Sequence, residues 1–273
     1  MTATTHSSNS TQSNLQPLTA QQHGNLRWNA PTNYDFAKHE ALCPLVLNEL
    51  TPAALGMPLG FVAQGEQLVL VGIMGLKNGS NLFVTPDGRW IGRHIPSALR
   101  NHPFRLANLQ DGRQVLCIQS GSACISQNVG TPLFNDKQPA AETLKVLQTL
   151  QQLDNSRRQT EAACALLQRH QLIQPWPIRI QGSDGEQELN GLLRIDETAL
   201  HNLPGADLEV LQRHGALKLA YCQLLSMQNL HALGQLAALH VKAQEQAQQV
   251  PVTQGKDLDL EFLNQGGTLR FGA

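Results

Sequence analysis

The apolar residues of this chain change their spacing once along the sequence. Up to about residue 138, short apolar runs such as LVLVGI and VLCI alternate with Gly-containing turns, which is typical of strands joined in hairpins. From about residue 139, apolar residues recur at three- and four-residue steps, the period of helices that bury one face. Because strands and helices are segregated rather than alternating, the sequence predicts an α+β fold and not a parallel βαβ sheet.

The predicted body covers residues 25–241, with a β-rich part at 27–138 and a mainly helical part at 139–241. Two segments of the β-rich part, LGFVAQGEQLVLVGIMGL and NLFVTPDGRWIG, each predict two strands around a turn. Asp87-Gly88 forms the second of these turns, because glycine adopts positive φ without strain. VLCIQ predicts one more buried strand.

Local signals divide the helical part into elements. SRRQ predicts a capping box that starts a second helix at Ser156, and this helix should end before Pro175. One hairpin is expected in PIRIQGSDGEQELNGLLRI, with Ser-Asp-Gly as its turn. Asp196 is predicted to cap a short helix, and Gly215 to break the remaining helical stretch.

The two ends of the chain differ from the body. Residues 1–24 are rich in Ser, Thr, Asn and Gln, and a segment with so few apolar groups is predicted to be disordered. Residues 242–257 are expected to form a linker, and residues 258–273 a hairpin or docking strand. A protein partner would bind this strand pair or the helical C-terminal half, by strand addition or helix packing. The apolar residues predicted to bind this partner are Leu258, Leu260, Phe262, Leu269 and Phe271.

Charge and hydropathy exclude several classes of function. The net charge is −1, so the chain lacks the basic surface of nucleic-acid-binding proteins. The longest apolar run, LVLVGIMGL, is about half the roughly 20 residues that a membrane-spanning helix requires. The N-terminal sequence has no basic start and no apolar stretch, so no signal peptide is predicted. The expected location is the cytoplasm, with export without a cleavable signal as the alternative.

Side chains capable of chemistry are densest in NLFVTPDGRWIGRHIPSALRNHPF. Its arginines and histidines could line a pocket for a carboxylate or phosphate, because guanidinium groups form paired hydrogen bonds with such anions. The alternative is an exposed hairpin edge whose arginines face solvent. The candidate ligand-binding residues are Asn81, Trp90, Arg93, His94, Arg100 and His102.

The sequence contains no catalytic signature. GIMGLKNGSN matches neither phosphate-binding glycine pattern, and no G-x-S-x-G occurs. Cys117 and Cys124 lie outside known protease motifs, and QSGSACIS is better explained as a polar turn. The five cysteines form no Cys-x-x-Cys pair, and the two candidate histidines have no further ligand nearby. We therefore predict no catalytic residue, no metal and no cofactor, and leave open whether the chain is an enzyme.

Several segments together resemble the SapC family of bacterial proteins, which is named after a gene linked to a surface layer. They include NLRWNAPTNYDFAKHEALCPLVLNEL, VLCIQSGSACIS, LIQPWPIRI, LNGLLRIDETAL and HGALKLAYCQLLSMQNLHAL, and NLFV…DGRW…IPSALR…PF is the most specific. The resemblance covers residues 26–239. His94 and Gln119 depart from it, since relatives more often carry an aromatic and an acidic residue there.

The resemblance implies an accessory role and no defined reaction, cofactor or catalytic set. Relatives tend to be encoded near outer-membrane receptors, flavin-dependent tryptophan halogenases and cupin-like oxygenases. The peptide-transporter permease that shares the name is excluded, because it requires membrane spans.

Three functions remain open at this point. The first is an accessory or binding protein with an unidentified protein partner, the second an enzyme that acts on a small acidic or peptide substrate through Arg93, His94, Arg100 and His102. The third is a surface-layer component or export factor. The sequence does not predict the oligomeric state.

Overall fold

The computed structural model describes residues 14–109, 111–182 and 185–249. The strands are β1 (Leu15–Pro17), β2 (Arg27–Trp28), β3 (Leu42–Pro44), β4 (Leu59–Gln64), β5 (Gln67–Ile73), β6 (Phe104–Asn108), β7 (Gln114–Gln119), β8 (Ile125–Ser126), β9 (Thr131–Pro132), β10 (Phe134–Asn135), β11 (Gln138–Pro139), β12 (Ile173–Pro175), β13 (Ile178–Gly182), β14 (Gly185–Leu189) and β15 (Leu192–Ile195). The helices are α1 (Ala20–His23), α2 (Leu50–Gly56), α3 (Ser97–Arg100), α4 (Ala141–Arg169), α5 (Glu197–His201), α6 (Gly205–Arg213), α7 (Ala216–Ser226) and α8 (Asn229–Gln249), with 3-10 turns at Asp35–Ala37 and Leu47–Glu49.

The predicted α+β class, β-rich first and helical later, is confirmed. The central element is an antiparallel sheet in the order β12-β15-β4-β5-β3. The hairpin predicted at LGFVAQGEQLVLVGIMGL is β4–β5, and its turn contains Gly65 at φ 63°. Phe61 and Leu70 face each other across this hairpin and are fully buried in the main core. Both edge strands contain a proline, which cannot donate a hydrogen bond to an added strand.

Helix α7 is fixed to the central sheet by two buried polar side chains. Beyond the short pairing of β15 with β4, the Gln223 side chain continues the ladder: its Oε1 accepts from the Ile195 N–H (3.0 Å) and its Nε2 donates to the Leu59 carbonyl (3.1 Å). The Ser226 hydroxyl accepts from the Leu59 N–H at 2.9 Å. The backbone N–H of Ile195 and the N–H and carbonyl of Leu59 are thereby hydrogen-bonded, as buried backbone groups require.

A smaller antiparallel sheet, β1-β7-β6, covers a second core of Phe104, Ile118, Leu133, Phe134 and Leu150. Helix α4 packs its first half on this core through Leu150 and its second half on the main core through Leu167. One long helix therefore joins both cores.

The predicted helix start at Ser156 is wrong, because α4 runs without interruption through this position. Ser156 is buried, and its hydroxyl accepts from the Asn48 backbone N–H at 3.1 Å, so the serine caps a neighbouring turn rather than its own helix. The helix ends at Arg169, before the predicted limit at Pro175.

Two other local signals are confirmed. Asp196 Oδ1 accepts from the Ala199 N–H at 3.0 Å and caps α5, and Gly215 separates α6 from α7 at φ 73°. The hairpin predicted in NLFVTPDGRWIG is reduced to a single bridge between Val84 and Trp90 around Gly88.

The N-terminal boundary differs from the predicted tail at 1–24. Within that range, β1 pairs with β7 and Thr19 caps α1, so residues 15–23 belong to the folded part of the chain. This segment is ordered because β1 pairs with a strand that is distant in sequence, and the local composition does not reveal this pairing.

At the other end, the boundary between two compact units lies between Ala237 and Ala238. The described part of the second unit is the end of α8, where Leu239 and Val241 are exposed. Within the described ranges, no helix combines the length and the apolar character that a bilayer crossing demands.

Replacing Gln223 with methionine tests the bridge between β15 and β4. The variant Gln223→Met keeps the side-chain length but leaves one buried N–H and one buried carbonyl without partners, so we expect the free energy of unfolding to fall by about 2–4 kcal/mol. Urea unfolding measures this. Gln212→Met, at an exposed position on α6, is the matched control; equal stabilities of the two variants would contradict the bridging role.

Candidate functional site

Two polar side chains meet at one end of the β6–β7 pair. His102 precedes β6 and Ser122 follows β7, and since the strands are antiparallel these two ends lie together. The Gln119 N–H donates to the Pro103 carbonyl at 2.9 Å, which closes this end of the ladder. His102 Nε2 lies 2.8 Å from the Ser122 hydroxyl, which also accepts from the Cys124 backbone N–H at 3.2 Å.

Aromatic rings hold the histidine from the other side. Phe36 stacks on the His102 ring with centroids 3.8 Å apart and an angle of 11° between the planes. Phe36 in turn contacts Tyr34. The ring centroids of Tyr34 and Trp90 are 5.8 Å apart, and Trp90 stacks on Phe83. Stacked rings with few rotatable bonds form a rigid surface.

Two arginines border this group. Arg100, on α3, is close enough to Tyr34 to influence its pKa, and Arg105, on β6, influences the pKa of His102 in the same way. We call the resulting assembly the His102 cluster; it consists of Tyr34, Phe36, Arg100, His102, Arg105, Ser122 and Cys124.

In the part of the chain that the structure describes, two arginines of this region lack the carboxylate partner that several other surface arginines have. Arg89, Arg113 and Arg213 each form an ion pair with a nearby carboxylate. Arg100 and Arg105 are exposed, and among the described residues neither pairs with a carboxylate. Their charge is therefore available to an external anion.

The tyrosine, histidine and cysteine of the cluster are uncharged at neutral pH. Burial, helped by the charge of Arg105, lowers the pKa of His102 to about 4. Burial raises the pKa of Tyr34, although Arg100 opposes the change. Burial also raises the pKa of the Cys124 thiol, opposed by its hydrogen bond with Ser122. The cluster thus offers hydroxyl, thiol and imidazole groups beside two fixed cations.

A buried carboxylate is linked to the cluster by hydrogen bonds. Glu49 ends a 3-10 turn and is 4% exposed. Its Oε2 accepts from the Ser97 N–H (2.7 Å) and the Ser97 hydroxyl (2.8 Å), and lies 3.1 Å from His94 Nε2. Its Oε1 accepts from the Val46 N–H at 3.3 Å. Both oxygens are therefore satisfied, as a buried charge requires.

This carboxylate also orients Arg100. The Ser97 hydroxyl, held by Glu49, accepts from Arg100 Nη2 at 2.9 Å. The turn that carries Glu49 is itself capped by α4, since Thr160 and Ser156 hydroxyls accept from the Leu47 and Asn48 N–H groups. Hydrogen bonds thus connect α4 to the turn that carries Glu49, and connect Glu49 through Ser97 to the guanidinium group of Arg100.

The structure does not bring the six candidate ligand-binding residues together in one site. Asn81 is buried and donates to the Ala37 carbonyl at 3.0 Å, and His94 is buried on Glu49. Trp90 is half-buried in the aromatic stack, and Arg93 is exposed beside Gly56. Only Arg100 and His102 belong to the His102 cluster.

The C-terminal partner-binding residues Leu258, Leu260, Phe262, Leu269 and Phe271 lie outside the described residues, so their role stays a prediction. Among the residues that the structure does describe, no three His, Cys, Asp or Glu side chains form a group that could hold a metal ion.

Sequence reasoning missed most of the supporting residues. Tyr34 and Phe36 are distant in sequence from His102, and the sequence around Ser122 and Cys124 is better explained as a polar turn than as a nucleophile. Glu49 had a usable signal: it lies in the apolar segment LVLNEL, where a charge predicts a buried partner.

Comparison with known proteins gives one result. A family model described as SapC matches residues 18–233, which include the whole His102 cluster and Glu49. No curated protein and no solved structure matches the chain.

The variant Glu49→Gln tests the support of the cluster. An amide must place its NH2 group against either the Val46 N–H or the donors of Ser97, so one buried donor faces another. We expect a loss of about 3 kcal/mol in the free energy of unfolding, measured in urea. Glu40→Gln, an exposed position nearby, should change stability by less than about 0.5 kcal/mol. If the Glu49→Gln protein is as stable as this control, the hydrogen bonds of the Glu49 carboxylate do not stabilise the fold at the cluster.

Proposed function

This chain belongs to the SapC family, and we propose that it is an accessory protein that binds an acidic group of a protein partner at the His102 cluster. The observation that carries the proposal is the pair of exposed guanidinium groups, Arg100 and Arg105, which have no carboxylate partner among the described residues. They flank a rigid aromatic surface instead.

The orientation of Arg100 supports anion binding. Ser97 and Glu49 fix one edge of its guanidinium, so less side-chain entropy is lost when the remaining N–H groups bind a carboxylate. Arg105 adds a second charge beside His102. Paired cations of this kind steer an acidic partner and determine its orientation.

The apolar groups around the cations support a protein partner rather than a free ion. Phe36 is 38% exposed and Ile91, next to Trp90 in the chain, is 48% exposed. Arginine is among the side chains enriched in the strongest contacts of protein interfaces, and here two exposed arginines occur beside exposed apolar groups.

An enzyme is the second candidate, because the His102–Ser122 distance of 2.8 Å resembles that of a base and a nucleophile. The electrostatics oppose it. A base whose conjugate acid has a pKa of about 4 has little tendency to take a proton at pH 7, and the raised pKa of Cys124 keeps this residue as a thiol. These properties favour recognition by neutral hydrogen-bonding groups over nucleophilic catalysis. A role at the surface layer or in export remains a separate prediction.

Removing the two unpaired charges tests the proposal. We expect Arg100→Gln/Arg105→Gln to lose, by at least about tenfold in affinity, a partner that the wild-type chain captures from its host, because two charge-assisted hydrogen bonds disappear. Quantitative mass spectrometry of the captured proteins identifies the partner, and calorimetry with the purified partner then gives the affinity and its dependence on salt.

The matched control is Arg113→Gln/Arg213→Gln, which removes the same charge from two arginines that already have partners. Its affinity should equal that of the wild type. If both double variants bind equally well, or if the wild-type affinity does not depend on salt, the His102 cluster is not the binding surface.

A further inference from the structure

A cavity elsewhere in the described part of the chain shares no residue with the His102 cluster. It has a volume of about 430 Å³ and lies where β12 and β15 meet the start of α5 and the outer side of α7. This volume is within the range of small-molecule sites, about 300–1,000 Å³. The residues that matter for the argument are Gln174, Arg194, Asp196, Glu197, Tyr221 and Leu225.

Arg194 provides a cation with unused donors. On paired strands Gln174 and Arg194 are direct neighbours, and the adjacent pair Ile173 and Ile195 packs with the main core, so the alternation of a strand turns Arg194 away from the core. Its Nε has no exposed surface and no hydrogen-bond partner in the described part of the chain. A buried donor without a partner is costly, but an atom without exposed surface is out of reach of a ligand. A ligand carboxylate would therefore contact the terminal guanidinium nitrogens of Arg194, which lines the cavity.

Apolar side chains form the opposite wall. Tyr221 and Leu225 are one turn apart on α7, and they are 43% and 68% exposed. Leucine and tyrosine left this open beside a cavity offer contact area to an apolar group.

Two carboxylates complete the lining. Asp196 uses Oδ1 to cap α5, and Glu197 next to it is exposed. Together with Arg194, the lining carries one positive and two negative charges. A ligand with only a negative charge would be repelled by Asp196 and Glu197, whereas a ligand with both charges finds a partner for each.

We propose that this cavity binds a small amphoteric molecule with an apolar body, the chemistry of a free α-amino acid with an apolar side chain. The carboxylate would bind Arg194, the ammonium group would face Asp196 and Glu197, and the side chain would pack on Tyr221 and Leu225. This assignment is independent of the function proposed for the His102 cluster.

Three matched probes test the assignment on the full-length protein by calorimetry. L-Leucine carries both charges, 4-methylpentanoate lacks the ammonium group, and isopentylamine lacks the carboxylate. Leucine should bind at least about tenfold more tightly than either of the other two, because each lacks one charged contact. L-Phenylalanine serves as a second complete probe.

Variants show which contacts are responsible. Arg194→Gln should weaken leucine binding at least tenfold, whereas Arg213→Gln, on the exposed side of α6, should leave it unchanged. Glu197→Gln, at an exposed position that folding tolerates, should weaken leucine but not 4-methylpentanoate. The assignment is wrong if neither amino acid binds, if 4-methylpentanoate binds as tightly as leucine, or if both Arg194→Gln and Glu197→Gln bind leucine like the wild type.

Discussion

The buried Glu49 carboxylate is the constraint on which the candidate site depends. It accepts two hydrogen bonds from Ser97 and one from the Val46 N–H, and it lies within hydrogen-bond distance of His94. An uncompensated charge at this depth would be strongly destabilising, so the turn and the segment that contains Ser97 must remain together. The capping of the turn by α4 extends the same constraint to the helix that joins the two cores.

The consequence for the surface is that Arg100 is presented by a rigid support. Its guanidinium is held by Ser97, and the aromatic rings beside it are stacked. The groups around it that could act as bases or nucleophiles are uncharged at neutral pH. Burial disfavours the charged form of each: it lowers the pKa of His102 and raises the pKa of Tyr34 and of Cys124. Such a surface is suited to recognising an anion and poorly suited to transferring protons.

Much of the fold follows from local sequence signals, and the candidate site does so only in part. The change in apolar spacing predicts the class, and the signals at Asp196 and Gly215 predict helix boundaries, because each depends on neighbours in the chain. Ser156 shows the limit: its capping pattern is present, but the hydroxyl caps a turn more than one hundred residues earlier. Likewise, Arg100 and His102 are visible in a dense motif, whereas Phe36, Ser122 and Glu49 come from other segments that only the folded chain brings next to this motif.

The pKa of His102 tests the account most directly. Nuclear magnetic resonance titration of the imidazole carbon-bound protons gives this value without assuming any ligand. If the half-buried ring lies against Phe36 and beside an unpaired Arg105, the pKa should be about 4. A pKa at or above the ordinary value of about 6.5 would mean that the ring is solvated or faces an anion. The cluster would then contain a base suited to catalysis, and its interpretation as a binding surface would be wrong.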